Sequence, residues 1–166
     1  DKYLSNTINS CLAQNYKKKE ILIFDDKSTD NSLKILKKYK KIKVLINKKK
    51  KFTSSPLNQI NGIKELFKNS KGEIIFLLDS DDCFKKNKIK NIMKLFNQDK
   101  KLNFLQDIPY SSKDKRTVKL KYKHHFFSIW PSFYPTSTIS VRKDFFLKFL
   151  NYLEPKKFPN LEIDAR

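Results

Sequence analysis

Five aspartates stand at two places where an apolar run ends: Asp25 and Asp26 close Glu20-Ile-Leu-Ile-Phe, and Asp79, Asp81 and Asp82 close Glu73-Ile-Ile-Phe-Leu-Leu. Carboxylates this close repel unless they are protonated, solvated or neutralised by a cation. A hard divalent ion such as Mg²⁺ or Mn²⁺ suits such oxygen ligands. Ligand hydrogen-bond donors, such as those of a base or ribose, are a second solution. A nucleotide diphosphate with its metal supplies both, the metal acting as a Lewis acid on the leaving diphosphate. The plainer alternative for either site is an acidic turn after a core strand. Two such ends on one edge of a lysine-rich protein are unexpected by chance.

Positioning these groups requires strands. Ile74 to Leu78 is continuously apolar and rich in β-branched and aromatic residues, as in a strand covered on both faces. Open α/β sheets bind ligands at the carboxyl ends of such strands. The elements around them alternate. A helix is expected over 4–14 from Leu4, Ile8 and Leu12. A helix to about Lys40 carries Leu33, Leu36 and Tyr39, with Ser28, Thr29 and Asp30 as competent caps. Ile42 to Ile46 reads as a strand. Pro56 suits the first turn of a helix with Leu57, Ile60, Ile63 and Phe67 on its apolar face. Gly62 within it marks either a close backbone approach or a tolerated glycine. Ile89, Ile92, Met93 and Phe96 give one more amphipathic helix. The alternation predicts an α/β domain with a mostly parallel sheet flanked by helices, the two acidic strands being neighbours.

The second half is less regular. Strands are expected at 102–106, 117–122 and 136–141, and a helix at 144–153. Between them lies an aromatic stretch with Phe126, Phe127, Trp130, Phe133 and Tyr134. Trp130, Phe133 and Tyr134 suit either a sugar-stacking platform or loop packing. His124 and His125 read as metal ligands or as surface residues, and Arg142 as a diphosphate partner or a structural group at a strand end. Cys83 is expected to be small and buried.

The length of 166 residues fits one domain. The formal charge is +20, from 37 basic residues of which only Arg116, Arg142 and Arg166 are arginine. That charge attracts phosphates, polyanions or an anionic membrane surface. The lysines are spread over most of the chain, however, which favours a solvated basic surface. Two cysteines without metal-ligand spacing suit a reducing cytosol. Two rival functions remain at this level. A phosphoryl-transfer enzyme would use Asp79 and Asp81 but leaves Asp25-Asp26 without a task. A basic nucleic-acid-binding protein would be repelled by both acidic ends.

The sequence resembles the family 2 glycosyltransferases through four segments in order. These are Tyr3-Leu4 with Ile8 and Ser10, then Gln14-Asn-Tyr16, then Glu20 to Ser32, then Gly72 to Asp82. The resemblance implies a GT-A fold, with a nucleotide-sugar-binding half over 1–100 and a mixed acceptor half over 101–166. It implies an inverting transfer of sugar from a nucleotide diphosphate sugar, with a UDP-sugar expected first, to a glycan or lipid-linked acceptor hydroxyl. The setting would be polysaccharide, lipopolysaccharide or glycan assembly in the cytoplasm, in peripheral contact with the membrane face and without nucleic acid. Asp25, Asp26 and Asp79 would bind the nucleotide. Asp79, Asp81 and Asp82 would form the Asp-x-Asp metal site for Mn²⁺ or Mg²⁺. Asp164 would be the catalytic base, because Pro135 to Arg142 resembles the segment before that base; an ordinary surface acid is the alternative. The sequence departs from the family at Lys27, where a glycine is usual, and at Ile60, where an asparagine is usual. The family's first strand would precede Asp1 and its last part would follow Arg166, so the chain reads as a domain truncated at both ends.

Overall fold

The computed structural model describes residues 1–49, 52–118 and 134–152. The expected order of elements holds up to residue 98: α1 (Leu4–Leu12), β1 (Leu22–Asp25), α2 (Ser32–Leu36), β2 (Lys43–Ile46), α3 (Ser55–Asn69), β3 (Ile74–Phe76) and α4 (Lys88–Gln98). Then follow β4 (Phe104–Gln106), the hairpin strands β5 (Tyr110–Ser111) and β6 (Arg116–Thr117), a 3-10 turn over Thr136–Thr138, β7 (Ile139–Arg142) and α5 (Lys143–Tyr152). The strand expected over 117–122 survives among the described residues only as β6.

Helix α3 starts as its sequence requires. Ser54 is extended and its side chain accepts from the Leu57 backbone N–H, with proline in the first turn. Helix α2 is shorter than expected. Its cap position is Asn31, without a side-chain cap bond, and Asp30 Oδ1 instead accepts from the Ser32 N–H in a local turn.

The expected α/β arrangement forms, and among the described residues its strands make a parallel pair and an antiparallel sheet. β1 and β2 pair in parallel, Leu22 opposite Lys43 through Asp25 opposite Ile46. β3 instead joins an antiparallel sheet of order β3-β7-β4, with β7 between the other two. Among the described residues β1 and β3 are not hydrogen-bonded neighbours. The physical reason lies far along the chain: Ile139–Arg142 is almost wholly buried and carries the pairing edge that β3 uses.

Helices cover both faces. On one, α1 and α2 pack Leu4, Ile8 and Leu36 against Ile23 and Val44 of the β1–β2 pair. α4 lies beside α1, because the buried Gln14 just past α1 accepts through Oε1 from the Ile89 N–H. On the other, α3 and α5 pack Ile60, Phe67, Phe146 and Leu150 against Leu77, Ile139 and Val141. Phe67 stacks on Phe146 at 4.5 Å. Gly62 is the close approach: a Cβ there would lie 2.7 Å from Phe24 Cδ1 of β1. Arg142 is structural. Its guanidinium donates to the carbonyls of Leu102 and Phe96, both at 2.9 Å, and tethers α4 to the antiparallel sheet.

Candidate donor-binding edge

Asp25 ends β1 and is buried. Its Oδ1 accepts from the Ser28 N–H at 3.1 Å, which folds the following turn back over the strand end. The turn passes through Lys27 at φ 58°, a left-handed conformation that a side chain disfavours. Asp26 accepts from the Nδ2 of Asn47, a buried residue directly after β2. Asn47 Oδ1 in turn accepts from the Lys49 N–H. Both aspartates are therefore held in fixed orientations by backbone and amide donors.

Asp79 stands half-buried beyond β3. Its N–H donates to Ser137 Oγ at 3.0 Å, and that hydroxyl lies 3.4 Å from Asp79 Oδ2. The Asp82 N–H donates to the Asp79 carbonyl, so the chain turns immediately and leaves Asp81 and Asp82 exposed. Cys83 is exposed as well, against expectation, because this turn carries it out of the core. Among the described residues no three Asp, Glu, His or Cys side chains cluster as a metal cage. The donor chemistry nevertheless fits a hard cation, since such ions commonly take one or two carboxylates and complete their shell with phosphate oxygens and water.

Residues 1–7 bond to both acidic turns. The backbone nitrogen of Asp1 is 2.8 Å from Asp30 Oδ2, in the turn after β1. Thr7 Oγ1 donates to the Ser80 carbonyl at 2.9 Å, in the turn after β3. Further along α1, Ser10 Oγ accepts from the Phe84 N–H. Gln14 Nε2 donates to the Lys85 carbonyl. Thr7, Ser10 and Gln14 thus form a polar stripe that pins the whole 80–89 loop. Ser10 and Gln14 belong to the segments that resemble the family, whereas Thr7 carries no such signal in the sequence.

Behind the loop lies a second missed group. Lys88, 9% exposed at its side chain, donates to Asp107 Oδ1 at 2.7 Å and to the Ser137 carbonyl at 2.9 Å. Burial pulls its pKa below the ordinary lysine value, and the hydrogen bond to Asp107 opposes that shift. Ser137 therefore links Lys88 to Asp79. Asp164, His124, His125, Trp130 and Phe133 lie outside the described residues. Tyr134 is half-buried, and its carbonyl accepts from Gln106 Nε2.

This is the fold of the GT-A glycosyltransferases. Residues 1–152 match the family described as Glycosyl transferase family 2, and the chain belongs to that family. It is 34% identical over 109 residues to Escherichia coli WfaP, a UDP-Glc:alpha-D-GlcNAc-diphosphoundecaprenol beta-1,3-glucosyltransferase, covering 65% of this chain and 41% of that protein. It is 30% identical over 114 residues to a dolichyl N-acetyl-alpha-D-glucosaminyl phosphate 3-beta-D-2,3-diacetamido-2,3-dideoxy-beta-D-glucuronosyltransferase of Methanococcus voltae, covering 61% and 33%. The UDP complex of residues 1–349 of Staphylococcus aureus TarS superposes with a TM-score of 0.67 at 21% identity, covering 94% of this chain and 47% of that one. The chain spans between 16% and 41% of the length of the curated relatives it matches. Neither rival function, phosphoryl transfer or nucleic-acid binding, finds support in these likenesses. Among the described residues no helix is long and apolar enough to cross a membrane.

Proposed function

We propose that this chain carries the donor half of an inverting glycosyltransferase. It binds a nucleotide diphosphate sugar, first of all a UDP-sugar, and serves glycan or surface-polysaccharide assembly on the cytoplasmic side. One observation supports the reading: residues 1–7 bond to both turns that carry the carboxylates, Asp1 to Asp30 in the turn after β1 and Thr7 to Ser80 in the turn after β3. Asp25 and Asp26, fixed by Ser28 and Asn47, would accept from the base or ribose. Asp79, fixed by Ser137, would stand between the ribose and the metal. Asp81 and Asp82, both exposed, would complete an Mn²⁺ or Mg²⁺ site together with diphosphate oxygens. When bound, that ion would neutralise the leaving diphosphate. Residues 1–100 form the donor half in this reading, and 101–166 the acceptor half with Asp164 as base. The UDP and UDP-GlcNAc complexes of TarS support this choice of donor class. WfaP and the Methanococcus voltae enzyme support a glycan or lipid-linked acceptor.

Calorimetric titration of UDP, with and without Mn²⁺, tests the reading. Binding should require the metal and weaken at least ~10-fold in Asp81→Ala, since that change removes one charged metal ligand. Silence of UDP, GDP and dTDP alike, with and without metal, would overturn it.

A further inference from the structure

Lys88 is the first residue of α4, and its ammonium is held entirely by the protein. It donates to Asp107 Oδ1 at 2.7 Å, just past β4, and to the Ser137 carbonyl at 2.9 Å. It also lies 4.5 Å from the centre of the ring of buried Phe84. An ammonium has three donors. Two oxygens and an aromatic face occupy them here, and the side chain is only 9% exposed. That arrangement does not suit a lysine that contacts a phosphate of the ligand. It is also not what packing alone asks for. Ile89, Ile92 and Phe96 of the same helix are buried, and an apolar residue at 88 would fill the place without the desolvation cost of an ammonium.

The residue that Lys88 holds is the one that holds Asp79. Ser137 is buried in the 3-10 turn Thr136–Thr138. Backbone bonds fix this turn from two strands. The Leu77 N–H, just after β3, donates to the Ile139 carbonyl, and the Asp107 N–H, just after β4, donates to the Thr138 carbonyl. Lys88 adds the bond to the carbonyl of Ser137 itself. The carbonyl and the side chain of one residue move together when its backbone rotates, so that bond also fixes where the Ser137 hydroxyl points. The hydroxyl accepts from the Asp79 N–H at 3.0 Å and lies 3.4 Å from Asp79 Oδ2. A single residue therefore separates the ammonium of α4 from the carboxylate after β3.

We propose that Lys88 is a positioning residue for Asp79, acting through Ser137. It sets the angle at which the Asp79 carboxylate meets the metal or the ribose of the donor, and it touches neither. Groups that orient a metal ligand in this way change affinity without changing the ligand set. Asp107 has two parts in the same clamp. Its carboxylate balances the buried ammonium, and its N–H holds the next residue of the turn, Thr138. The start of α4 and the end of β4 thus grip the turn that carries Ser137. The effect on ligand binding rests on the donor reading; the hold on Asp79 does not.

Two readouts test the proposal. The first needs no ligand. Residue-resolved hydrogen exchange follows the Asp79 amide, which is bonded to Ser137 Oγ, against the Val141 amide of β7, which reports general loss of stability. Lys88→Met should speed exchange at Asp79 at least ~10-fold more than at Val141. The second is calorimetric titration of UDP with Mn²⁺. Affinity should fall about 10-fold in Lys88→Met and in Ser137→Ala. It should recover partly in Lys88→Arg, whose guanidinium can still donate to both oxygens. The double variant Lys88→Met with Ser137→Ala should bind no more weakly than the weaker single variant, because both changes cut one path. If Lys88→Met does not fold, Lys88→Gln takes its place in both readouts. Silence of the unaltered chain toward UDP would remove the donor reading, and the exchange comparison would then decide by itself whether Lys88 holds Asp79. Exchange at Asp79 that rises no more than at Val141, or losses of UDP affinity that add in the double variant, overturns the proposal.

Discussion

At the scale of single residues, the packing around β1 and its turn gives two measurable consequences. Gly62 stands where a Cβ would press into the Phe24 ring at 2.7 Å. Alanine would gain up to ~1 kcal/mol of helix propensity there. Overpacking against a ring held in a strand costs about 1–3 kcal/mol, so Gly62→Ala should be net destabilising. Urea unfolding should show a lower midpoint. Lys27 gives the opposite sign. Its φ of 58° is the conformation glycine adopts without a steric penalty, and its side chain is exposed. Lys27→Gly should raise stability by about 0.5–1 kcal/mol, the relief of strain exceeding the entropy that glycine adds to the unfolded chain. The same unfolding assay reads it. The sequence marked both positions, Gly62 as either a close backbone approach or a tolerated glycine and Lys27 as a departure where the family usually has glycine. What made them matter was a contact between distant segments in one case and a dihedral angle in the other, and neither is written in local residue order.

At the scale of elements, helices and strands up to α4 could be placed from periodicity because their apolar faces repeat at 3.6 or stand as short buried runs. The pairing of β3 could not, since its partner β7 lies more than sixty residues on. The acidic ends were legible as charges after apolar runs, whereas the groups that hold them were not. Ser137, Asn47 and Lys88 carry no local pattern, and only the fold brings Lys88 beneath Ser137 and Asp79. Lys88 yields an element-scale prediction. Its ammonium is nearly buried, while the Asp107 side chain is 35% exposed and can turn to water. Asp107→Asn should therefore cost about 1–3 kcal/mol, by leaving that ammonium short of its counter-charge, and Lys88→Met less, because an orphaned but wet carboxylate needs little compensation. If Ser137 transmits the loss to Asp79, UDP affinity should fall in Lys88→Met and recover partly in Lys88→Arg. Paired unfolding and titration curves separate the two effects.

At the scale of the whole molecule, the two sheets are embedded in cores of unequal size. The antiparallel sheet is buried in one contiguous apolar cluster built from Ile60, Ile63, Phe67, Leu77, Ile139, Val141, Phe146 and Leu150. The β1–β2 pair relies on Leu4, Ile8 and Leu36, with its other apolar neighbours only partly buried. Each fully buried aliphatic or aromatic side chain contributes on the order of 1.5–3 kcal/mol, so the antiparallel sheet should resist opening more strongly. α3 touches both parts, through Gly62 against Phe24 and Phe67 against Phe146, and would be the last element to release. In native-state hydrogen exchange, β7 amides such as that of Val141 should exchange only through the larger opening. Amides that β2 donates to β1, such as those of Lys43 and Asn47, should exchange at least ~10-fold faster through a smaller, separate one. Uniform protection across both sheets would mean that α3 already couples them into one cooperative unit.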